Sequence, residues 1–178
     1  MNPNDILTKY YKADSEAYRI LFSHSEDVAR KALQIARLHP EMNLDLAFIE
    51  EAAMLHDVGV FLCNAPSIDC HGEAEYICHG YLGADLMRSE GYPRHALVCE
   101  RHTGAGITRE EIETRNLPLP HHDMLPLSLE EQIICYADKF FSKTNLGKEK
   151  SIEKIKSGLA KYGEPSIARF THWQSLFQ

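Results

Sequence analysis

Paired cysteines are missing from this sequence. Its five cysteines, Cys63, Cys70, Cys78, Cys99 and Cys135, are odd in number and form no C-x-x-C pair. That pattern argues against a disulfide framework or a thiolate zinc knuckle and fits free thiols in a reducing compartment. There is no long uncharged apolar run, and the opening residues M-N-P-N-D-I-L hold no basic region leading into an apolar stretch. A soluble, cytoplasmic protein with no membrane partner is therefore expected. A basic stripe is lacking too: 26 acidic residues against 19 basic ones give a formal charge of -7, which argues against a nucleic-acid polymer as partner. A small anionic ligand stays compatible, because bound divalent ions can dominate a local field. No alternating run is long enough for a strand, and there is no internal repeat.

What is present is helical period with helical punctuation. With 178 residues and 44% hydrophobic content, the chain suits one domain over residues 1–178, all-α, with about seven to nine helices and no substantial sheet. A first helix is expected over Pro3 to Phe22. Ser23-x-x-Glu26 reads as a capping box opening a second helix to Leu38, with His24 in its first turn. Asp45 can cap a helix ending at His56-Asp57, and Gly59 is expected to supply the positive φ that ends it. After a loop from Phe61, helices follow from about Ala74 to Glu90 and from Pro93 to Gly104. Further capping boxes stand at Thr108-x-x-Glu111 and Ser128-x-x-Glu131, the latter opening a helix to Phe141. A proline-rich segment separates them, and two helices, Ser151 to Tyr162 and Ser166 to Phe177, form a C-terminal extension over 150–178.

Six nitrogen or oxygen donors stand out on five of these helices: His24, His56, Asp57, His79, His102 and Asp138. A His-Asp pair at a helix end also fits a hydrogen-bonded core pair. Asp138, however, follows Ile133, Ile134 and Ala137 on an apolar helix. A buried carboxylate there costs several kcal/mol, on the order of an ion's desolvation, unless a cation or hydrogen bonds compensate it. A bundle interior is where facing helices bring such side chains to a metal.

The stretches S-H-S-E-D-V-A-R-K-A, M-L-H-D-V-G, H-G-Y-L-G-A and E-Q-I-I-C-Y-A-D-K together resemble the HD-domain superfamily of metal-dependent phosphohydrolases, over a motif core of about 23–141. E-R-H-T-G-A-G-I-T, from Glu100 to Thr108, resembles a branch of small uncharacterised HD hydrolases, and is similar to a segment of HD-type diadenosine tetraphosphate hydrolases. The resemblance implies that His24, His56, Asp57 and Asp138 hold one metal, and that Asp57 bridges to a second held by His79 and His102. One or two ions, among iron, manganese, zinc, nickel, cobalt and magnesium, would be the cofactors. A hydroxide on the metals, roughly 3.5 to 4 Å apart in such sites, would then attack a phosphate ester or anhydride of a small molecule, for which a nucleotide is the expected class. A homodimer is compatible with the sequence.

One departure from the family stands at Val60, where many HD hydrolases have a lysine or arginine after H-D-x-G. Arg101 and Lys139, both adjacent to proposed ligands, are the expected catalytic cations beside Asp57, with Lys143 and Arg109 as further candidates. His71, His121 and His122 could serve a substrate group or a third ion, and Tyr76, Tyr81 or Tyr136 could stack on a base. Two other readings are compatible with the same donors: a mixed-valent di-iron oxygenase, and a nucleotide-binding module without turnover.

Overall fold

Helix α2, Glu16–Leu38, is the longest element and forms the wall on which the rest is laid; α1, Pro3–Tyr10, precedes it. In the computed structural model, which describes residues 1–178, seven more helices follow. They are α3 (Leu46–Leu55), α4 (His79–Ser89), α5 (Pro93–Arg101), α6 (Arg109–Thr114), α7 (Leu129–Asp138), α8 (Ile152–Leu159) and α9 (Glu164–Phe177). The only sheet is a two-residue antiparallel hairpin between α3 and α4, with Asn64 opposite His71 and Ala65 opposite Cys70. The fold is all-α, a helical bundle of nine helices. No helix is long and apolar enough to cross a membrane.

The helical periodicity translates directly into packing. Val28, Ala32 and Ile35 of α2 meet Ile49, Ala52 and Ala53 of α3, Ile133, Ile134 and Ala137 of α7, and Phe170, Trp173 and Phe177 of α9 in one apolar core. Full burial of each large aliphatic or aromatic chain is worth about 1.5–3 kcal/mol. A second cluster joins Ile6 and Leu7 of α1 to Leu55, Met87 and Ala96, so α1 clamps α3, α4 and α5 from outside. Alanines at 52, 53 and 137 let backbones come close, which keeps the polar side chains beside them within reach of one another.

Several boundaries differ from the sequence expectation. The first expected helix is broken at Tyr11, whose backbone is extended, and Ser15 caps α2 through Tyr18 N–H. The Ser23-x-x-Glu26 pair therefore lies inside α2, and His24 sits mid-helix rather than in a first turn. The break is fixed from afar: the Tyr11 hydroxyl donates to Val58 O and accepts from Phe61 N–H. Asp45 caps α3, and the Thr108–Glu111 and Ser128–Glu131 capping boxes are both complete. Gly59 does not have a positive φ. The chain after His56 tightens into a 3-10 turn, Val58–Leu62, and Gly59 is required there by contact. A Cβ on it would lie 2.4 Å from Gly83 N and 2.5 Å from His79 O. α4 starts five residues later than expected, at His79, because Ala74 is tied to Leu62 O and a 3-10 turn, Tyr76–Cys78, intervenes. α7 ends at Asp138 rather than Phe141, its last carbonyls taken by tighter bonds from Lys139, Phe140 and Phe141.

Candidate metal centre

Four helix ends and one helix interior deliver six donors to one buried point. His24 comes from the middle of α2, His56 and Asp57 from the end of α3, His79 from the first turn of α4, His102 from the end of α5, and Asp138 from the last residue of α7. His24, His56, Asp57 and Asp138 present ligand atoms within 4.8 Å of one another, as do Asp57, His79 and His102. Asp57 belongs to both groups and divides its oxygens between them. Its Oδ2 is 3.0 Å from His56 Nε2 and 3.3 Å from His24 Nε2. Its Oδ1 is 3.3 Å from both His79 Nε2 and His102 Nε2.

The ring orientations follow from local backbone. His56 Nδ1 donates to Ala53 O at 2.6 Å, His79 Nδ1 to Tyr76 O at 2.5 Å, and His102 Nδ1 to Cys99 O at 2.7 Å. With Nδ1 committed to a carbonyl, each ring turns its Nε2 inward, as second-sphere bonds do for metal-ligating histidines. Those inward atoms approach the carboxylates without directed hydrogen bonds. Both Asp57 oxygens, His56 Nε2 and His24 Nδ1 are buried and make none, although the Lys143 ammonium lies beside Asp57 Oδ2. Completely buried polar atoms without partners cost several kcal/mol, on the order of an unpaired ion's desolvation. A cation among them removes that cost, so the donor set fits a metal. Nitrogen and oxygen donors of this kind suit divalent transition ions.

The electrostatics agree. Burial works to raise Asp57, yet His56 and Lys143 hold it well below the usual carboxylate range. Burial also works against ionisation of Asp138, and Lys139 with His24 and His56 keeps it low. Burial pushes His56 down, but the Asp57 and Asp138 charges outweigh it and raise the imidazole to about 9. For His79 burial wins and lowers it to about 3, and burial lowers His102 as well.

The HD domain family matches residues 21–142, which hold all six donors. The chain belongs to this family. An uncharacterised protein of Methanocaldococcus jannaschii is 34% identical over 156 residues, covering 82% of this chain and 84% of the relative. A tRNA (cytidine(56)-2'-O)-methyltransferase of Thermoplasma volcanium is 32% identical over 139 residues, covering 78% of this chain. The like-named protein of Picrophilus torridus is 32% identical over 146 residues, covering 76% of this chain. This chain spans 35% and 38% of the length of those two methyltransferases. No solved structure matches.

The HD centre opens on a cavity of about 650 Å³ lined by His24, His79, His102 and Asp138. Lys139 and Lys143 line it as well. Lys143 Nζ is 2.5 Å from Asp57 Oδ2, and Lys139 Nζ is 2.7 Å from Asp138 Oδ2 while donating to His102 O at 3.0 Å. Arg101, expected as a catalytic cation, is not among the lining residues. One step around the helix from His102 turns it by about 100°, and its guanidinium meets Glu131 Oε2 at 2.9 Å. Arg109 pairs with Glu113 on exposed α6. Val60 is buried against Ile20, Ile68 and Cys70, so nothing basic enters from that turn.

The loop histidines do not join the centre. His71 pairs with Asp69, His122 faces Glu100, and His121 lies near Glu113. Of the three tyrosines, Tyr136 is core, stacked on Phe170, and Tyr81 packs against the small cluster around Ile112. Tyr76 alone lines the cavity, with its ring beside His79. The sequence reading missed Lys150, Lys154 and Lys161, which line the outer cavity. Only Lys154 and Lys161, seven residues apart on α8 and its continuing turn, carry a helical spacing; Lys139, Lys143 and Lys150 lie between α7 and α8, so no periodic signal joins the five.

Proposed function

We propose that this chain is a metal-dependent phosphohydrolase that cleaves a phosphate ester or anhydride of a small molecule, with a nucleotide as the expected class. The observation that carries the reading is Asp57, fully buried, with one carboxylate oxygen facing each donor group, among the side chains of His24, His79, His102 and Asp138 that line a lysine-rich cavity. His24, His56, Asp57 and Asp138 would hold one ion, and Asp57, His79 and His102 a second. Ions bound there supply a water of lowered pKa, from 15.7 toward about 7, and charge neutralisation for phosphoryl oxygens.

The chain's own residues do the rest. The Nδ1 bonds of His56, His79 and His102 to carbonyls three residues back keep the Nε2 lone pairs on the centre. Lys139 ties the end of α7 to the end of α5, fixing Asp138 relative to His102. Lys143, close to Asp57, takes the place of the basic residue that many relatives have where this chain has Val60. Its ammonium lies on the cavity wall, where a phosphoryl oxygen would be met. Tyr76, beside His79, offers an aromatic ring in position to lie against a base, and Tyr162 and Phe141 also line the cavity.

Methyl transfer is named for two relatives of which this chain spans little more than a third. We take the stretch shared with them to be an HD unit and carry no transferase activity over to this chain. The test is release of phosphate or nucleoside from a panel of nucleoside mono-, di- and triphosphates by protein reconstituted in turn with each divalent ion. Turnover that disappears in Asp57→Ala supports the reading. No turnover with any ion, or oxygen uptake by the iron form with nucleotides left intact, would sink it.

A further inference from the structure

The lysines of the cavity are not distributed like the rest of the charge. The protein carries a formal charge of -7, yet this cavity is lined by five lysines, Lys139, Lys143, Lys150, Lys154 and Lys161, and a single carboxylate, Asp138. Lys139 and Lys143, the inner two, are neutralised by Asp138 and Asp57. The outer three have no carboxylate within ion-pair distance: Lys150 reaches only the Lys139 carbonyl, at 3.3 Å, and Lys161 only stands over the Tyr162 ring. Outside the cavity Lys9, Lys12 and Lys31 each pair with an acid, while Lys148 and Lys156 pair with none.

Like charges gathered in a concave site repel one another. Burial lowers the Lys150 pKa, and Lys139, Lys143 and Lys154 lower it further against the opposing pull of Asp138. Such a field raises the local concentration of an anion and rewards one with several charges in line. The geometry is linear as well. Lys154, Gly158 and Lys161 fall on one face of the α8 segment and its continuing turn, and a side chain on Gly158 would meet nothing within 4 Å. The wall between the two lysines is therefore open backbone.

We propose that Lys150, Lys154 and Lys161 form a binding ladder for the outer phosphates of a substrate carrying at least two phosphate groups in line, while the scissile one lies at the histidine and aspartate centre. The proposal rests on the phosphohydrolase reading for which end of the anion reacts, but the ladder itself is tested by binding alone. The metal-reconstituted protein is titrated calorimetrically with methylenediphosphonate, whose P–C–P bridge resists hydrolysis, and with methylphosphonate. The wild type should prefer the diphosphonate by more than about tenfold, and the preference should weaken steeply with salt. Each lysine hydrogen bond to a charged oxygen is worth about tenfold. In Lys154→Ala/Lys161→Ala the preference should therefore fall to near parity, with metal content and melting temperature held. Lys154→Arg/Lys161→Arg should restore most of it.

An unchanged preference in the alanine pair, or an equal loss for both probes, would overturn the ladder. Ladder-dependent binding without hydrolysis of any phosphate compound would instead sink the phosphohydrolase reading and leave the ladder standing.

Discussion

His79 and His102 face each other with their Nε2 atoms 3.0 Å apart while each commits its Nδ1 to a backbone carbonyl. Two lone pairs at that separation repel unless something positive lies between or beside them. Two imidazoles ligating one ion at about 2.0–2.1 Å and near right angles stand about 3 Å apart. The pair is thus spaced as ligands of a common cation, with Asp57 Oδ1 as the third donor. His102→Ala should lower the metal content by one ion per chain and leave the group around His24, His56 and Asp138 loaded. Asp57→Ala should strip both groups and reduce hydrolysis by at least about a hundredfold, the scale for losing one strong electrostatic contact in a transition state. Metal analysis of the two purified variants checks this. Equal stoichiometry in wild type and His102→Ala would refute the division into two groups.

Proton release separates the same two groups. His56 is raised to about 9 without metal, so below that pH it must lose a proton before its Nε2 can ligate. His79 is lowered to about 3 and is already neutral at any pH well above that value. Loading of the His56 group should therefore release close to one proton at pH 7.5 and tighten as pH rises toward 9, while loading at His79 should release none. Calorimetry in two buffers of different ionisation heat measures the difference. The same shifts govern metal-free stability. The His56 contribution is fully present below its unfolded value of about 6.5 and is lost as pH rises through about 9. The His79 contribution has the opposite slope: it costs stability as pH falls from about 6.5 toward 3.

How much of this was legible in the sequence depended on whether a residue's role was local. The capping boxes at Thr108 and Ser128 were readable because cap and partner lie three residues apart. Asp138 was readable because a carboxylate on an apolar helix face needs a cation wherever the helix packs. The break at Tyr11 was not, because its hydroxyl is held by Val58 and Phe61 from across the fold. That one bond pair moved His24 from a helix start to a helix middle. Gly59 was recognised as necessary for the wrong reason: the constraint is the approach of α4, which no local pattern records. The outer lysines were not singled out because nothing in a linear sequence says that α8 folds back over the metal centre.

Lys143 supplies a prediction that distinguishes stability from chemistry. Its ammonium and the Asp57 carboxylate form a buried pair in the absence of metal, and the pairing holds Lys143 protonated, its pKa well above the usual lysine value against the pull of burial. Removing one partner of a buried pair costs about 3 kcal/mol because the other charge is left uncompensated. Lys143→Met should show that loss in chelator-treated protein, and much less of it once an ion compensates Asp57. Denaturant midpoints with and without metal give the comparison. If both forms lose stability equally, Lys143 is acting through packing and not as a stand-in charge.

Gly59 ties the backbone to the chemistry. The 3-10 turn after Asp57 lies so close to α4 that a Cβ at residue 59 would fall 2.4 Å from Gly83 N and 2.5 Å from His79 O, both backbone atoms that no rotamer change can move. Gly59→Ala must push α4 outward, and α4 begins with His79. Overpacking of this kind costs about 3 kcal/mol. Here it should also pull His79 away from Asp57, so the second ion should be lost along with stability. The reciprocal change is gentler. A Cβ at Gly83 would meet Gly59 N at 3.1 Å and Val58 Cγ1 at 3.4 Å, both longer approaches. Gly83→Ala should therefore cost less and retain more metal. Urea midpoints paired with metal counts for the two alanine variants test the relation. Loss of stability in Gly59→Ala with both ions retained would show that the turn holds α4 without setting the position of His79.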